Sequence, residues 1–398
     1  MLAAVGPDGP IKGRRVVVTG VGAVTAAGVG ADVLFKQLCE GVAPETPRVR
    51  HFEPEAFFGP KEARRLDPFS QYTLASAIQA FDDAGLEISD PDRSGSLFAT
   101  GVGGITTMLE QTEVLRDRGP DRVSPFFVPM LMPNAGAAAV SLRYGMRGPC
   151  QTVTTACAAG THAVIDAARL IATGRCDVML TGGGEASTAE IAEAGFRNMT
   201  ALSRTGVSMP FDVARDGFVL GEGGAAMVLE DIDHALARGA NIYAEVLGGA
   251  STADAHHITA PDPDAKGAIA CIIAALADAG IAPGDVGHIN AHGTSTSLND
   301  LAEARALHAV FGLAPPPVTS VKGYLGHSLG AAGAIEAVIS VLTVSHGLIP
   351  PTIGTTVIDP ALDLDVVIGE PRALERRVVA SNSFGFGGHN GTLIVAAA

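Results

Sequence analysis

Two stretches of this 398-residue chain have the length and composition of helices yet are apolar nearly all round: residues 158–173 and residues 329–346. A surface helix carries its apolar residues on one side only, so both segments belong in the interior. The same layout leads into each. Residues 152–155 read as a short strand ending in a turn at Cys157, and Val318-Thr-Ser-Val-Lys322 runs into Gly326-His327. Other strands are expected at residues 15–20, 96–103, 177–181, 242–248 and 287–291, with helices at 69–84 and 266–279, since β-branched runs end in glycine and alanine-rich runs follow. Gly174 is well placed to stop the first apolar helix. Alternating strands and helices predict an α/β protein with parallel-rich sheets covered by helices. The repeated layout predicts two similar halves, residues 15–238 and 239–398, behind a Gly- and Pro-rich tail at 1–14.

Composition narrows the function. Apolar residues make up 47% and charged residues 17%, enough for a large core. Lys and Arg total 27 against 42 Asp and Glu, a net charge of −15, so nucleic acid and anionic membranes are poor general partners. Trp is absent and Tyr numbers only 4, leaving few stacking platforms for bases. The five cysteines, Cys39, Cys150, Cys157, Cys176 and Cys271, form no CxxC pair, which disfavours a disulfide framework or zinc site and suits a reducing cytoplasm. The first 15 residues have no apolar core of the kind a signal peptide carries. The longest uninterrupted apolar run, residues 268–277, is about half a bilayer span.

Cys157 lies in Thr154-Thr-Ala-Cys-Ala-Ala-Gly160, at a strand-to-helix turn. Unpaired N–H groups and the positive end of the helix favour a thiolate there, and small neighbours leave room for an acyl group. The competing reading is an inert buried cysteine. His292, in Asn290-Ala-His-Gly-Thr-Ser-Thr296, and His327, in Lys322-Gly-Tyr-Leu-Gly-His-Ser328, stand in Gly- and Ser/Thr-rich turns typical of a site, though either could be structural. Together with a thiolate, two imidazoles could donate to a developing oxyanion. Glu336 stands inside the second apolar helix and needs a partner, for which Lys322 is the candidate. In Ser381-Asn-Ser-Phe-Gly-Phe-Gly-Gly-His-Asn390 the glycines permit a tight turn with exposed N–H groups, and Phe384 or Phe386 could close a pocket. Two other features lead nowhere. Gly20-Val-Gly-Ala-Val-Thr25 lacks the third glycine and the later acidic residue of a dinucleotide site, and His256-His257 has no completing metal ligands at familiar spacing.

In this order and spacing, the motifs around Cys157, His292, His327 and Phe386 resemble the β-ketoacyl-acyl carrier protein synthases, and more narrowly the elongating synthase II type and its polyketide relatives. The resemblance runs from Val16 to Val395 and includes Pro125-Phe-Phe-Val-Pro129, Pro210-Phe-Asp212 and Arg215-Asp-Gly-Phe-Val-Leu-Gly-Glu-Gly223. It implies a thiolase fold, two similar halves in five α/β layers, usually a homodimer. It implies that Cys157 carries the acyl chain as a thioester and that His292 and His327 stabilise the enolate formed when malonyl-carrier protein loses carbon dioxide. The N–H groups of Cys157 and Phe386 would form the oxyanion hole; Lys322, held by Glu336, would orient His327; Thr294 and Thr296 would support the site; Phe384 and Phe386 would gate the acyl pocket. No metal or other cofactor is implied; some relatives hold a monovalent cation near Glu336, which is not expected here.

The implied partner is an acidic acyl carrier protein with phosphopantetheine-linked acyl and malonyl groups. Lys61, Arg64 and Arg65 match the family's basic docking segment, and Arg122 its second spot, where Asp121 has replaced one basic residue. His389 and Asn299 depart from the common fatty-acid pattern in ways that touch pathway and chain length. A chain-length subunit acting in a ketosynthase heterodimer would lack Cys157, and a thiolase would carry one His and a second Cys. A decoy or resistance copy is a further alternative.

Overall fold

A computed structural model describes residues 13–398. All but the last two residues of the expected tail therefore lie outside the described residues.

The first run of elements is β1 (Val16–Thr25), α1 (Pro68–Asp83), β2 (Ser94–Ala99), α2 (Ala135–Tyr144), β3 (Cys150–Val153), α3 (Ala159–Ala172), β4 (Val178–Glu185) and β5 (Gly223–Asp231). The second is β6 (Ala244–Ala253), α4 (Lys266–Ala279), β7 (His288–Asn290), α5 (Ser297–Phe311), β8 (Val318–Thr319), α6 (Leu329–His346), β9 (Val378–Gly385) and β10 (His389–Ala396). Strand order is β3-β2-β4-β5-β1 in the first run and β8-β7-β9-β10-β6 in the second. The directions repeat as well: two parallel pairs around β2 and around β7, then two antiparallel pairs through β5 and through β10. The two sheets join where Val16, Val17 and Val18 pair with Val246, Glu245 and Ala244.

Helices α1 and α2 cover the outer face of the first sheet, and α4, backed by α5, covers the second. Helices α3 and α6 pack on each other and on strands of both sheets, completing five layers. Apolar contact on every side is what their composition requires. Helix α6 is long and apolar enough to cross a membrane, but 89% of it is buried, as suits a core helix. Its crossing with α3 depends on two glycines. A Cβ on Gly160 would lie 2.3 Å from the Ala334 nitrogen, and one on Gly333 would lie 2.4 Å from Thr161 Oγ1. The contact falls near the first turn of each helix, so the residues entering the two helices, Cys157 and His327, are brought together.

Most strand boundaries differ from the sequence reading: β1 runs on to Thr25, β2 spans Ser94–Ala99 and β6 runs on to Ala253. β3 stops at Val153, because the next residues form the turn carrying Cys157. β4 runs on through Gly182-Gly-Gly184 instead of ending at Thr181. The glycines admit α1 to the sheet: a Cβ on Gly184 would sit 2.2 Å from Thr73 Oγ1. β8 is cut to two residues because Lys322 opens a short helix, Lys322–Leu325.

Candidate active site

Cys157 sits in a 3-10 turn, residues 156–158, that leads into α3. Ala156 just before it takes φ 49°, a strained value for a residue with a side chain, and this turns the chain sharply at the cysteine. The Phe386 N–H lies close enough to the Cys157 sulfur to favour its thiolate. Gly385 abuts the same turn: a Cβ there would be 3.0 Å from the Cys157 nitrogen. The amides of Cys157 and Phe386 thus flank one sulfur.

His292 follows β7 in a turn clamped by the Glu303 carboxylate, which accepts from the His292 N–H at 2.9 Å and the Gly293 N–H at 2.8 Å. His327 follows Gly326, and its main chain is fixed by bonds to Val219 (2.7 Å) and Gly221 (3.0 Å). Ligating atoms of Cys157, His292 and His327 all lie within 4.8 Å of one another, and all three residues are buried. The imidazoles meet edge to face, with centroids 5.4 Å apart at 81°. Nδ1 of each ring is buried without a hydrogen-bond partner, leaving Nε2 to face the cavity. A metal-ligating histidine normally donates its outer N–H to a carboxylate or carbonyl, so these rings do not fit a metal site.

Lys322 and Glu336 form a fully buried ion pair at α6. Nζ of Lys322 also donates to the main-chain carbonyl of His292 at 2.6 Å. This corrects the expectation that Lys322 orients His327: its hydrogen bond holds the His292 turn, and it acts on His327 through its charge. Burial, then Lys322, holds both imidazoles well below their ordinary value, so they are neutral near pH 7. Burial pushes the Cys157 thiol up to about 11, against the pull of Lys322 and the Phe386 N–H. The resting nucleophile is therefore a thiol beside two neutral imidazoles, not the thiolate expected from the helix terminus alone. The thiol packs among Phe218, Leu220 and Leu329, and the imidazoles face rings as well, Phe218 lying 5.2 Å from His327 and Phe384 5.9 Å from His292.

These side chains line a cavity of about 350 Å³, with Phe196, Phe218 and Leu329 on its apolar wall and Phe386 beside Phe196. Thr294, Thr296 and Asn299 line its polar side, and the two threonine hydroxyls share a 2.9 Å hydrogen bond. Glu336 and Lys322 stand behind this wall; His389 does not line it either. Lys61, Arg64, Arg65 and Arg122 are all exposed and outside the cavity. Arg65 stacks 4.4 Å over Phe126, which ties the first basic segment to the loop that follows Arg122.

Glu303 and Glu185 escaped the sequence reading. Glu185 accepts from the N–H groups of Gly101 (2.6 Å) and Gly330 (3.2 Å), pinning the first turn of α6. For Glu185 the available signal was a carboxylate at the end of an apolar, glycine-rich run; Glu303 shares its helix face with Asp300 and gives no such signal. Burial raises Glu303 to about 7. A raised carboxyl contributes stability below its unfolded value near 4.5 and loses it as pH climbs through 7. Glu303→Gln is therefore expected to gain on the wild type between pH 5 and pH 8, by something of order 3 kcal/mol at most. Melting temperatures of the two proteins across that range check this; a constant difference contradicts it.

Known proteins match along nearly the whole chain. Residues 42–235 match the family described as Beta-ketoacyl synthase, N-terminal domain, and residues 243–356 its C-terminal domain. The chain is 42% identical over 407 residues to 3-oxoacyl-[acyl-carrier-protein] synthase 2 of Synechocystis sp., covering 96% of this chain and 98% of that one. Among solved structures, the ishigamide ketosynthase/chain length factor aligns at TM-score 0.90 and 36% identity, over 97% of this chain and 100% of that one. A complex of a type II PKS acyl-carrier protein with its ketosynthase bound to the hexaketide aligns at TM-score 0.89 and 31% identity, over 97% and 100%.

Proposed function

The chain belongs to the β-ketoacyl synthase family, and from that premise we propose that Cys157, His292 and His327 carry out a decarboxylative Claisen condensation on carrier-bound substrates. The observation that carries this reading is the cluster of one thiol and two neutral imidazoles within 4.8 Å at an aromatic-walled cavity.

The Cys157 sulfur attacks the thioester carbonyl of an acyl-carrier protein. The thiol proton ends on the departing phosphopantetheine sulfur, which leaves as the thiol. The tetrahedral oxyanion is held by the N–H groups of Cys157 and Phe386. Malonyl-carrier protein then enters, with Thr294 and Thr296 on the polar wall positioned to bond its arm. Loss of carbon dioxide leaves an enolate, whose oxygen accepts from Nε2–H of His292 and His327. The enolate carbon attacks the acyl-Cys157 carbonyl, the C–S bond breaks, and the Cys157 thiolate takes a proton from solvent. The product is a β-ketoacyl-carrier protein two carbons longer. Lys322 and Glu336 position the His292 turn, and Phe384 and Phe386 control access to the acyl pocket. No cofactor is called for, since carbon dioxide loss drives the condensation. A persistent free thiol suits a reducing cytoplasm. Incubation with acyl- and malonyl-carrier proteins, read by mass spectrometry, is expected to yield the lengthened β-ketoacyl product; its absence contradicts the reading. A thiolase reading is disfavoured because Cys39, Cys150, Cys176 and Cys271 all lie outside the cavity.

The carrier protein is expected to dock on Lys61, Arg64 and Arg65, a basic patch on an acidic molecule. Changing all three to Glu should raise KM for the carrier protein at least about tenfold while leaving kcat within about twofold. An unchanged KM moves docking elsewhere. A second copy of the chain is expected to cover the exposed edge strand β3 and the exposed side chains of Val102, Met108, Val128 and Met132. Light scattering would separate this homodimer from a monomer awaiting a ketosynthase-like partner.

A further inference from the structure

His162 lies in α3, buried to 7% exposure and outside the steps described above. Its two ring nitrogens reach in different directions. Nε2 is 3.0 Å from the Asn390 carbonyl, and Nδ1 is 2.7 Å from Thr155 Oγ1. A carbonyl only accepts, so Nε2 carries the hydrogen, and Nδ1 accepts from the Thr155 hydroxyl. Burial keeps the ring neutral, as this pattern requires.

The two partners belong to the two segments that supply the oxyanion hole. Thr155 stands two residues before Cys157, and its carbonyl accepts the Ala158 N–H at 3.1 Å to close the nucleophile turn. Asn390 stands at the start of β10, just after the loop that presents the Phe386 N–H. That loop contains two left-handed glycines, Gly387 (φ 80°) and Gly388 (φ 75°), which by themselves do little to hold it. The segments touch directly at Gly385. The loop is also held where the Gly387 N–H donates to the Ile258 carbonyl (2.8 Å) and the Gly388 carbonyl accepts from the Asp254 N–H (2.9 Å); His162 adds a tie from the far side of the loop back to the nucleophile turn. The fit is close: a Cβ on Gly391 would lie 3.0 Å from His162 Nε2.

We propose that His162 is a positioning residue that sets the spacing between the Cys157 and Phe386 amides, and that it thereby accelerates acyl transfer without touching substrate. This rests on the ketosynthase reading above. The test compares two reactions of the same sulfur in the full-length enzyme. Acylation by an acyl-carrier protein passes through an oxyanion; alkylation by iodoacetamide does not.

His162→Phe keeps the ring and loses both hydrogen bonds. Its maximal acylation rate is expected to fall about 10- to 100-fold, with KM for the acyl donor and the alkylation rate within about twofold of wild type. His162→Gln, which can still donate to the Asn390 carbonyl, should recover most of the rate. Thr155→Val removes one bond with little change of shape; it should show a smaller loss of the same pattern, and it carries the test alone if His162→Phe does not fold. Unchanged acylation in these variants overturns the inference. A parallel fall in acylation and alkylation also overturns it, because His162 would then act on the thiol or on the fold as a whole. Wild-type enzyme that alkylates yet takes up no acyl group overturns the ketosynthase reading itself, and this inference with it.

Discussion

Changing Cys157 to Ala is expected to end acyl uptake while leaving the protein folded. The sulfur packs among Phe218, Leu220 and Leu329, and removing one buried atom there costs about 1 kcal/mol. The loss of transfer should instead be several orders of magnitude, because no other thiol lies in the cavity to replace it. The variant should also separate the two halves of the reaction. Its imidazoles remain in place, so slow carbon dioxide release from malonyl-carrier protein should persist when condensation does not. A melting curve, an acylation assay and a carbon dioxide assay on the same sample check all three points. Acylation at the wild-type rate would remove Cys157 from the mechanism.

The second large effect concerns the histidine pair. His292→Ala and His327→Ala should each lower malonyl decarboxylation by about 10²- to 10³-fold, the usual loss when one donor to a developing oxyanion is removed. The double variant should fall short of the product of the two, because both rings serve one oxygen. The pH dependence distinguishes neutral from charged donors. Both imidazoles are held well below 6.5, so they stay neutral as pH falls past that value. Decarboxylation by the wild type should therefore be flat from pH 8 to about pH 6. A fall centred near 6.5 would mean that the rings titrate freely, and that the cavity walls do not exclude water as the structure implies.

How far these roles can be read from the chain differs from residue to residue. The interior position of α3 and α6 follows from composition, because no amphipathic stripe exists to place them on a surface. That their first turns meet does not follow, since Gly160 and Gly333 become informative only when the two helices are seen to cross. Cys157, His292 and His327 stand in recognisable turns. Their protonation states do not show there, because the burial that sets them comes from residues far along the chain, Phe218 and Phe384 among them. The helix terminus argues for a thiolate, and desolvation outweighs it. Lys322 and Glu336 pair as the apolar setting of Glu336 demands, whereas the third partner, the His292 carbonyl, depends on where the short helix at Lys322 points. Glu303 is 11 residues from the turn that it clamps and looks in sequence like any helical surface acid. The basic segment at Lys61 is visible as a charge run, but its link to the loop after Arg122 needs the stacking of Arg65 on Phe126.

The claim on which the rest depends is that Cys157 takes an acyl group from a carrier protein. Intact-protein mass spectrometry after incubation with acyl-carrier proteins of graded chain length tests it most directly, with Cys157→Ala as control. One acyl mass should be added to the wild type, at a yield that varies with chain length, and none to the variant. Equal addition to both proteins, or none to the wild type with any acyl chain, would contradict it.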